Sequence, residues 1–351
     1  MTRRTLATVI VGCSLLALVV VAVFLPVPYV TMSPGPTVNV LGESGKKAII
    51  EVRGRRTYPT EGELRLTTVS VTNPTRRVGL GETLRAWVDP KRAVYPRDTV
   101  YPPDQTAEDV EQRSSVEMVS SQDTAIAAAL TELGYKLPLQ VAVLAVTKRS
   151  PASGRLKTRD LIQRINGVPI RSVKQVSAAV QKTGIGNTAT FVVRRDGRTK
   201  LVEVTAKASP DDPKRAVVGV QIGAGYDFPF DVSVRLSEDI GGPSAGLIFS
   251  LGVYDTLTPG SLSGGADIAG TGTIDERGRV GSIGGIQQKI VAAVDIGAKI
   301  FLVPPGNCDE ARGTGVREDD IRLVKATTMH HAVESLEAYA DDPSSDLPSC
   351  G

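Results

Sequence analysis

The chain has 351 residues and is 41% hydrophobic, enough to bury the cores of two or three modules and too much for a small staple-dependent scaffold. Its 41 basic and 38 acidic side chains leave a formal charge of +3, which gives none of the single-sign field of a nucleic-acid-binding surface, so no nucleic-acid partner is expected. Cys13, Cys308 and Cys350 have neither metal-ligand nor Cys-x-x-Cys spacing; a disulfide framework is not expected, and a Cys308–Cys350 bridge is allowed by the count alone.

From the N-terminus, Leu6 to Leu25 is an uncharged run that closes at Pro26. As a helix it would reach about 30 Å, the thickness of a bilayer's hydrocarbon core. Arg3 and Arg4 precede it and the first charge after it is Glu43, which predicts a single-pass cell-membrane protein, N-terminus cytoplasmic and the rest extracytoplasmic. A cleaved signal peptide is one alternative, although the run is long for it. A lipoprotein processing site at Ile10-Val11-Gly12-Cys13 is another, with too little apolar sequence before the cysteine. After Pro34-Gly35-Pro36, strands are predicted at Ala48–Val52 and Glu63–Val71, where β-branched residues partly alternate with polar ones. Ala86 to Thr106, broken by prolines and tyrosines, reads as an extended surface or substrate-facing loop. Glu108 to Leu133 reads as one helix, or as two divided near Ser120 and Asp123, stopping at Gly134.

Between Tyr135 and Ala208, strands Gln140–Ala145, Leu161–Ile165, Thr188–Arg194 and Thr199–Thr205 with helix Ser172–Gln181 form a compact β-rich module. Its turns at Asn166-Gly167 and Asp196-Gly197 tolerate left-handed backbone. Such a module offers a strand edge beside a helix, where an extended peptide can pair.

The segment from Gly219 to Ala340 holds the chemistry. Strand-like Gln221–Gly223 and Phe230–Val234 lead to Gly242-Pro243-Ser244-Ala245-Gly246 and an apolar helix. Ser244 would stand where free N–H groups stabilise a developing oxyanion, or would simply cap that helix. Thr271 to Val280 reads as two short strands about a turn. In the helix after Gly285, Ile286, Ile290 and Ala293 share a face that Lys289 borders. Partial burial would depress the lysine's pKa toward that of a neutral amine base; a snorkelling surface lysine is the other reading. His330 and His331 are the candidate bases for a rival Ser-His-Asp arrangement, and no His-Glu-x-x-His segment points to zinc. No cofactor and no metal are expected.

Two resemblances organise these readings. Val146-Thr147-Lys148-Arg149-Ser150-Pro151-Ala152, Gly154-Arg155-Leu156, Asp160-Leu161-Ile162 and Ile165-Asn166-Gly167-Val168-Pro169-Ile170 resemble a PDZ domain. This implies a receptor for peptide ends with its carboxylate-binding loop near Gly134 to Val143, although Gly134-Tyr135-Lys136-Leu137 departs from the Gly-Leu-Gly-Phe form. Gly-Pro-Ser-Ala-Gly at 242–246, followed in order by Thr271, Gly272, Ile274, Gly278, Val280, Ile283, Gly284, Gly285 and Lys289, resembles the proteolytic domain of the Lon family. That likeness implies Ser244 as nucleophile, Lys289 as general base and Thr271 as the hydroxyl that orients the amine. The implied α+β architecture has a cytoplasmic tip and transmembrane helix (1–26), the N-terminal part of a Lon-like proteolytic region (34–133) and an inserted PDZ-like domain (135–208). The catalytic part (219–340) and a flexible tail (341–351) complete it.

ATP-dependent Lon-family members often carry an acidic residue three positions before the serine; here that position is Gly241, with Asp239 two positions further back. No Gly-x-x-x-x-Gly-Lys-Ser/Thr segment is present. The pattern resembles the bacterial YlbL-type family of membrane-anchored proteins. It implies an ATP-independent serine endopeptidase acting on extended or unfolded extracytoplasmic polypeptides, with PDZ-like substrate selection and assembly into homo-oligomeric rings such as a hexamer. The alternative is a catalytically inactive, membrane-attached PDZ scaffold.

Overall fold

A computed structural model describes residues 3–103, 105–237 and 240–350, so the expectation for Asp239 lies outside the described residues. Helix α1 (Arg3–Phe24) is uninterrupted over 22 residues and is long and apolar enough to cross a membrane. Strands β1 (Tyr29–Asn39), β2 (Ile50–Arg53) and β3 (Glu63–Val71) follow, then α2 (Leu80–Val88), β4 (Ala93–Pro96) and α3 (Ala107–Glu132). The stretch expected to be an irregular loop thus contains the end of α2 and all of β4. Nonlocal contacts order it: β4 pairs antiparallel with β1 from Tyr29↔Pro96 to Met32↔Ala93, and Thr83 and Ala86 of α2 are buried. Nor is α3 divided. Thr106 and Asp109 close a capping box at its start, and Ser121, Gln122 and Asp123, near the expected break, are buried with hydrogen-bond partners.

The β-rich module comprises β5 (Leu139–Val146), β6 (Leu161–Ile165), α4 (Val173–Thr183), β7 (Thr188–Arg195), β8 (Arg198–Thr205) and β9 (Val220–Tyr226). Its strands run in the order β8-β7-β6-β5-β9 over a core that includes Val143, Leu156, Ile162 and Phe191. The expected position of the carboxylate-binding loop needs correction. β5 has neighbours on both sides and cannot accept a peptide strand, whereas β9, which lies beyond the expected 135–208 span, is the edge strand beside it. At the module's two ends, Tyr135 meets Phe230 edge-on with ring centroids 5.8 Å apart.

Strand β10 (Asp231–Val234) pairs with β2, and the chain continues through α5 (Gly246–Leu257), β11 (Asp267–Gly270), α6 (Ile286–Asp295), β12 (Ile300–Val303), β13 (Arg322–Lys325) and α7 (Met329–Asp341). A mixed sheet ordered β13-β12-β11-β3-β1-β4 joins the parts before and after the module. Alternation along its strands sorts the two cores. Ile268, Ile300 and Leu302 pack with Phe249 of α5, while Ala269, Phe301 and Val303 pack with Ile286 and Ile290 of α6. Helices α5 and α6 therefore cover opposite faces.

The tail expected to be flexible is held. The Lys325 amide donates to the Pro348 carbonyl at 2.8 Å, Val324 and Ser349 form a β-bridge, Leu347 is buried, and Cys350 is disulfide-bonded to Cys308. The tail runs back along β13, which brings the two cysteines together. The bridge spans 42 residues, a closure worth about 4 kcal/mol in the chain-entropy account. Replacing both thiols (Cys308→Ser with Cys350→Ser) is expected to lower the unfolding free energy by about 2–4 kcal/mol in urea titration under oxidising conditions; equal stability of the two proteins would contradict the bridge.

Candidate active site

Ser244, Thr271 and Lys289 come from three segments that the sheet brings to one point. β11 runs parallel to β3 and β12 and ends at Gly270, so Thr271 stands at its carboxyl end, between α5 on one face and α6 on the other. The carboxyl ends of parallel strands are where α/β layers leave room for a site.

Helix α5 begins at Gly246 with Ala245 as its N-cap and no side-chain cap bond. Ser244 precedes the cap, and the reading of its hydroxyl as a helix cap does not hold. Its carbonyl accepts from the Gly272 amide at 2.8 Å and the Thr271 hydroxyl at 2.9 Å, while the Leu247 amide donates to the Gly272 carbonyl at 3.0 Å. These bonds clasp the serine turn to the end of β11. Gly246 permits the approach, since a Cβ there would stand 3.0 Å from the Ile274 amide nitrogen. From the other side, α3 holds the turn: the Ser121 hydroxyl donates to the Pro243 carbonyl at 3.1 Å. No motif marks Ser121. Its one sequence signal is a polar run, Ser121-Gln122-Asp123, just before an alanine-rich apolar stretch.

Lys289 is more deeply buried than helical periodicity implies, at 2% exposure. Helix α6 starts from Gly285, whose φ of 71° is left-handed and whose Cβ, if present, would lie 2.8 Å from Val69 Cγ1. The first turn of α6 therefore settles onto β3 and carries Lys289 inward. The Lys289 Nζ lies 2.7 Å from Ser244 Oγ and 2.9 Å from Thr271 Oγ1. Burial lowers its pKa from 10.5 to about 7, with no charged partner contributing. Because the Thr271 hydrogen is committed to the Ser244 carbonyl, Thr271 accepts from the amine, and a neutral amine then has its lone pair free for the Ser244 hydroxyl. Among the described residues, the amides of Ser244 and Ala245 donate to no backbone acceptor.

A cavity of about 500 Å³ opens over Ser244 and Lys289, lined by Leu66–Val71 of β3 with Met118 and Ile240. Through Val69, Val71, Met118 and Ile240 it adjoins a second cavity of about 920 Å³ that reaches Asn73, Pro74, Thr75 and Tyr101. The ladder between β3 and β11 ends at Leu66↔Gly270. Thr67 to Val71, paired with β1 on one side, therefore have no partner strand on the β11 side among the described residues.

A separate cavity of about 1010 Å³ lies on the β-rich module, between Val176 and Val180 of α4 and Val220–Ile222 of β9, with Lys148, Arg149 and Arg215 at its margin. Arg159 of the same module pairs with Asp123 at 2.8 Å and Gln122 at 3.1 Å. Burial pushes the Asp123 carboxyl up, against the opposing Arg159 guanidinium. Consecutive residues of α3 thus touch the module at 122–123 and the serine turn at 121. The histidines lie elsewhere: His330 pairs with Glu132 at 2.7 Å and Glu334 at 3.3 Å, and His331 bonds Thr327.

Comparison with known proteins agrees with this division. Residues 112–206 match the PDZ domain model, and residues 237–336 match the Lon protease (S16) C-terminal proteolytic domain. The Lon protease of Desulfatibacillum aliphaticivorans is 35% identical over 96 residues, covering 27% of this chain and 11% of that protein. That of Xanthomonas oryzae pv. oryzae is 41% identical over 92 residues, covering 25% and 11%. Lon protease 1 of Syntrophobacter fumaroxidans is 27% identical over 222 residues, covering 56% and 25%. The matched stretches thus span 11% to 25% of these relatives' lengths. A solution structure from Geobacillus thermodenitrificans is 30% identical over 23% of this chain and 94% of its own, with a TM-score of 0.22. The chain thus carries a Lon-family (S16) C-terminal proteolytic domain with an inserted PDZ domain.

Proposed function

We propose that the protein is a membrane-anchored, ATP-independent serine endopeptidase with a Ser244–Lys289 dyad. The observation that carries this reading is the 2.7 Å contact between the Ser244 hydroxyl and a lysine amine that burial holds near neutrality. In the proposed reaction, neutral Lys289 takes the Ser244 proton as the oxygen attacks a peptide carbonyl. The amides of Ser244 and Ala245, which donate to no backbone acceptor among the described residues, point to an oxyanion site at the start of α5. Lys289 then protonates the leaving amine, and water, deprotonated by the same amine, releases the acyl group. Thr271 keeps the amine aimed. An amine has no ring tautomer to fix, so no carboxylate is required behind it.

Substrate would enter as an extended strand along the open edge of Thr67 to Val71, so it must be flexible or unfolded when it arrives. The cavity beside β9, with cationic side chains at its margin, suits the carboxylate end of a polypeptide, and PDZ-like selection is assigned there. Anchoring is assigned to α1, with Arg3 and Arg4 on the cytoplasmic side. The Cys308–Cys350 bridge supports an extracytoplasmic catalytic region, since disulfides persist in oxidising compartments. A homo-oligomeric ring remains part of the proposal by likeness to the family.

Purified full-length protein is expected to cleave a disordered polypeptide without nucleotide, and Ser244→Ala or Lys289→Ala is expected to reduce turnover at least about 10³-fold while preserving the circular dichroism spectrum. No cleavage by any oligomeric fraction of the wild type would sink the reading and favour the scaffold.

Thr271→Val removes one acceptor from the amine and is expected to lower kcat roughly 10- to 100-fold with little change in KM. An unchanged kcat would show that the amine needs no such guide.

Activity should rise with pH through about 7 as Lys289 loses its proton. Stability should rise too: between about 7 and 10.5 the unfolded chain holds a proton at this site that the folded chain lacks, so folding gains as pH increases. Lys289→Met should be more stable than wild type near pH 6 by a few kcal/mol, and the gap should narrow by pH 10. A gap that stays flat across this range would contradict the burial argument.

A further inference from the structure

Helix α2 turns an apolar stripe away from its own domain. Thr83 and Ala86 face inward and are buried, whereas Leu84, Trp87 and Val88, one helical face by their spacing, are exposed, the last two at 75% and 81%. Trp87 is the chain's single tryptophan. An exposed indole flanked by leucine and valine has no counterpart in the active site or the PDZ cavity, neither of which it lines.

The position of this helix says what covers it. Its start is joined to the end of α1: the Leu80 amide donates to the Leu25 carbonyl at 2.9 Å, and Pro26 and Val27 pair with Gly79 and Val78. A Cβ on Gly81 would stand 2.7 Å from Val23 Cγ1, so the first turn of α2 touches the last turn of α1 without a side chain between them. Trp87 lies about 10 Å along the helix from Leu80. The headgroup layer on each side of a bilayer is roughly 5–8 Å deep, so the whole of α2 begins and ends near it if α1 spans the membrane. Charge agrees: residues 76–97 hold six basic and two acidic side chains, and both acids are paired, Glu82 with Arg76 and Asp89 with Arg92. Arg77 and Arg85 are exposed beside the stripe. A tryptophan at an apolar–polar boundary with arginines around it is the composition of an interfacial helix.

We propose that α2 lies in the headgroup–acyl boundary of the bilayer, with Leu84, Trp87 and Val88 inserted and the arginines against lipid phosphates. This rests on the reading of α1 as a membrane span. The helix then acts as a second contact that fixes the height and tilt of the proteolytic domain. Because β3 leads from the Ser244 cavity through Asn73–Thr75 directly into α2, the groove opens close to the membrane surface.

The sole tryptophan makes this measurable in the full-length protein without a label. The protein is reconstituted in vesicles of phosphatidylcholine and phosphatidylglycerol, and Trp87 emission is recorded with lipids spin-labelled near the headgroup and with aqueous acrylamide. Blue-shifted emission, quenching by the lipid probe and protection from acrylamide are expected, and Leu84→Glu with Val88→Glu should abolish the lipid quenching. Emission at the wavelength of a water-exposed indole overturns the proposal; so does protection from acrylamide without lipid quenching, which would mean a second protein copy covers the stripe. Flotation after alkaline carbonate separates the two readings. Retention on the vesicles without lipid quenching removes the role of α2 and leaves the anchor, whereas release from the vesicles overturns both.

Discussion

Burying an amine with hydroxyl partners and no carboxylate requires three layers to close on it together. Charge-neutralising salt bridges would have stabilised Lys289 as a cation; here the surroundings disfavour the cation. The demand falls on distant parts of the chain. Helix α6 must settle on β3 through Gly285, β11 must end at Thr271, and α5 must start at Gly246 so that the Ser244 turn is clasped from beneath. Each of these elements also belongs to one of the two cores that sandwich the sheet. Site and fold are therefore one packing problem, and cavities or overpacking near Ile286 or Leu247 would disturb amine solvation before they disturbed the backbone.

Sequence made some of this legible and not the rest. The span of β3 is readable from Glu63 to Val71 because β-branched residues and alternation agree there. The paired motifs contain the three side chains that meet. Their depth is not readable: periodicity places Lys289 at the border of an apolar face, and what sinks it is a left-handed Gly285 against Val69, more than 200 residues earlier in the chain. Ser121 escapes notice for a similar reason, since a serine in a helix is ordinary until its partner, the Pro243 carbonyl, is seen. Nonlocal pairing likewise explains β4, which needs the edge of β1, and the tail at 347–350, which needs β13 and Cys308.

The PDZ domain shows how chain order can mislead. The open edge beside β5 comes from β9, beyond the 135–208 span expected for the module, so a search upstream of β5 finds a helix end and not a binding loop. β9 is followed in the chain by a bend, β10 and the segment that leads to Ser244, while Arg159 ties the domain to α3 beside the Ser244 turn. Two physical routes, one covalent and one through Asp123, therefore connect the open edge of β9 with the segment that holds the serine.

The contact between Tyr135 and Phe230 carries a consequence for modularity. The loop that leaves the proteolytic domain after α3 and the bend that returns to it before β10 meet through these two rings, centroids 5.8 Å apart, and both rings belong to the margin of the proteolytic core. An insertion with closely apposed ends asks its host for little more than a loop's closure entropy. The same doorway would accept a different recognition domain, or a short hairpin, without re-registering the sheet behind it. Under the proposed function, recognition and cleavage would sit in parts joined at this one narrow doorway and at the Arg159–Asp123 contact.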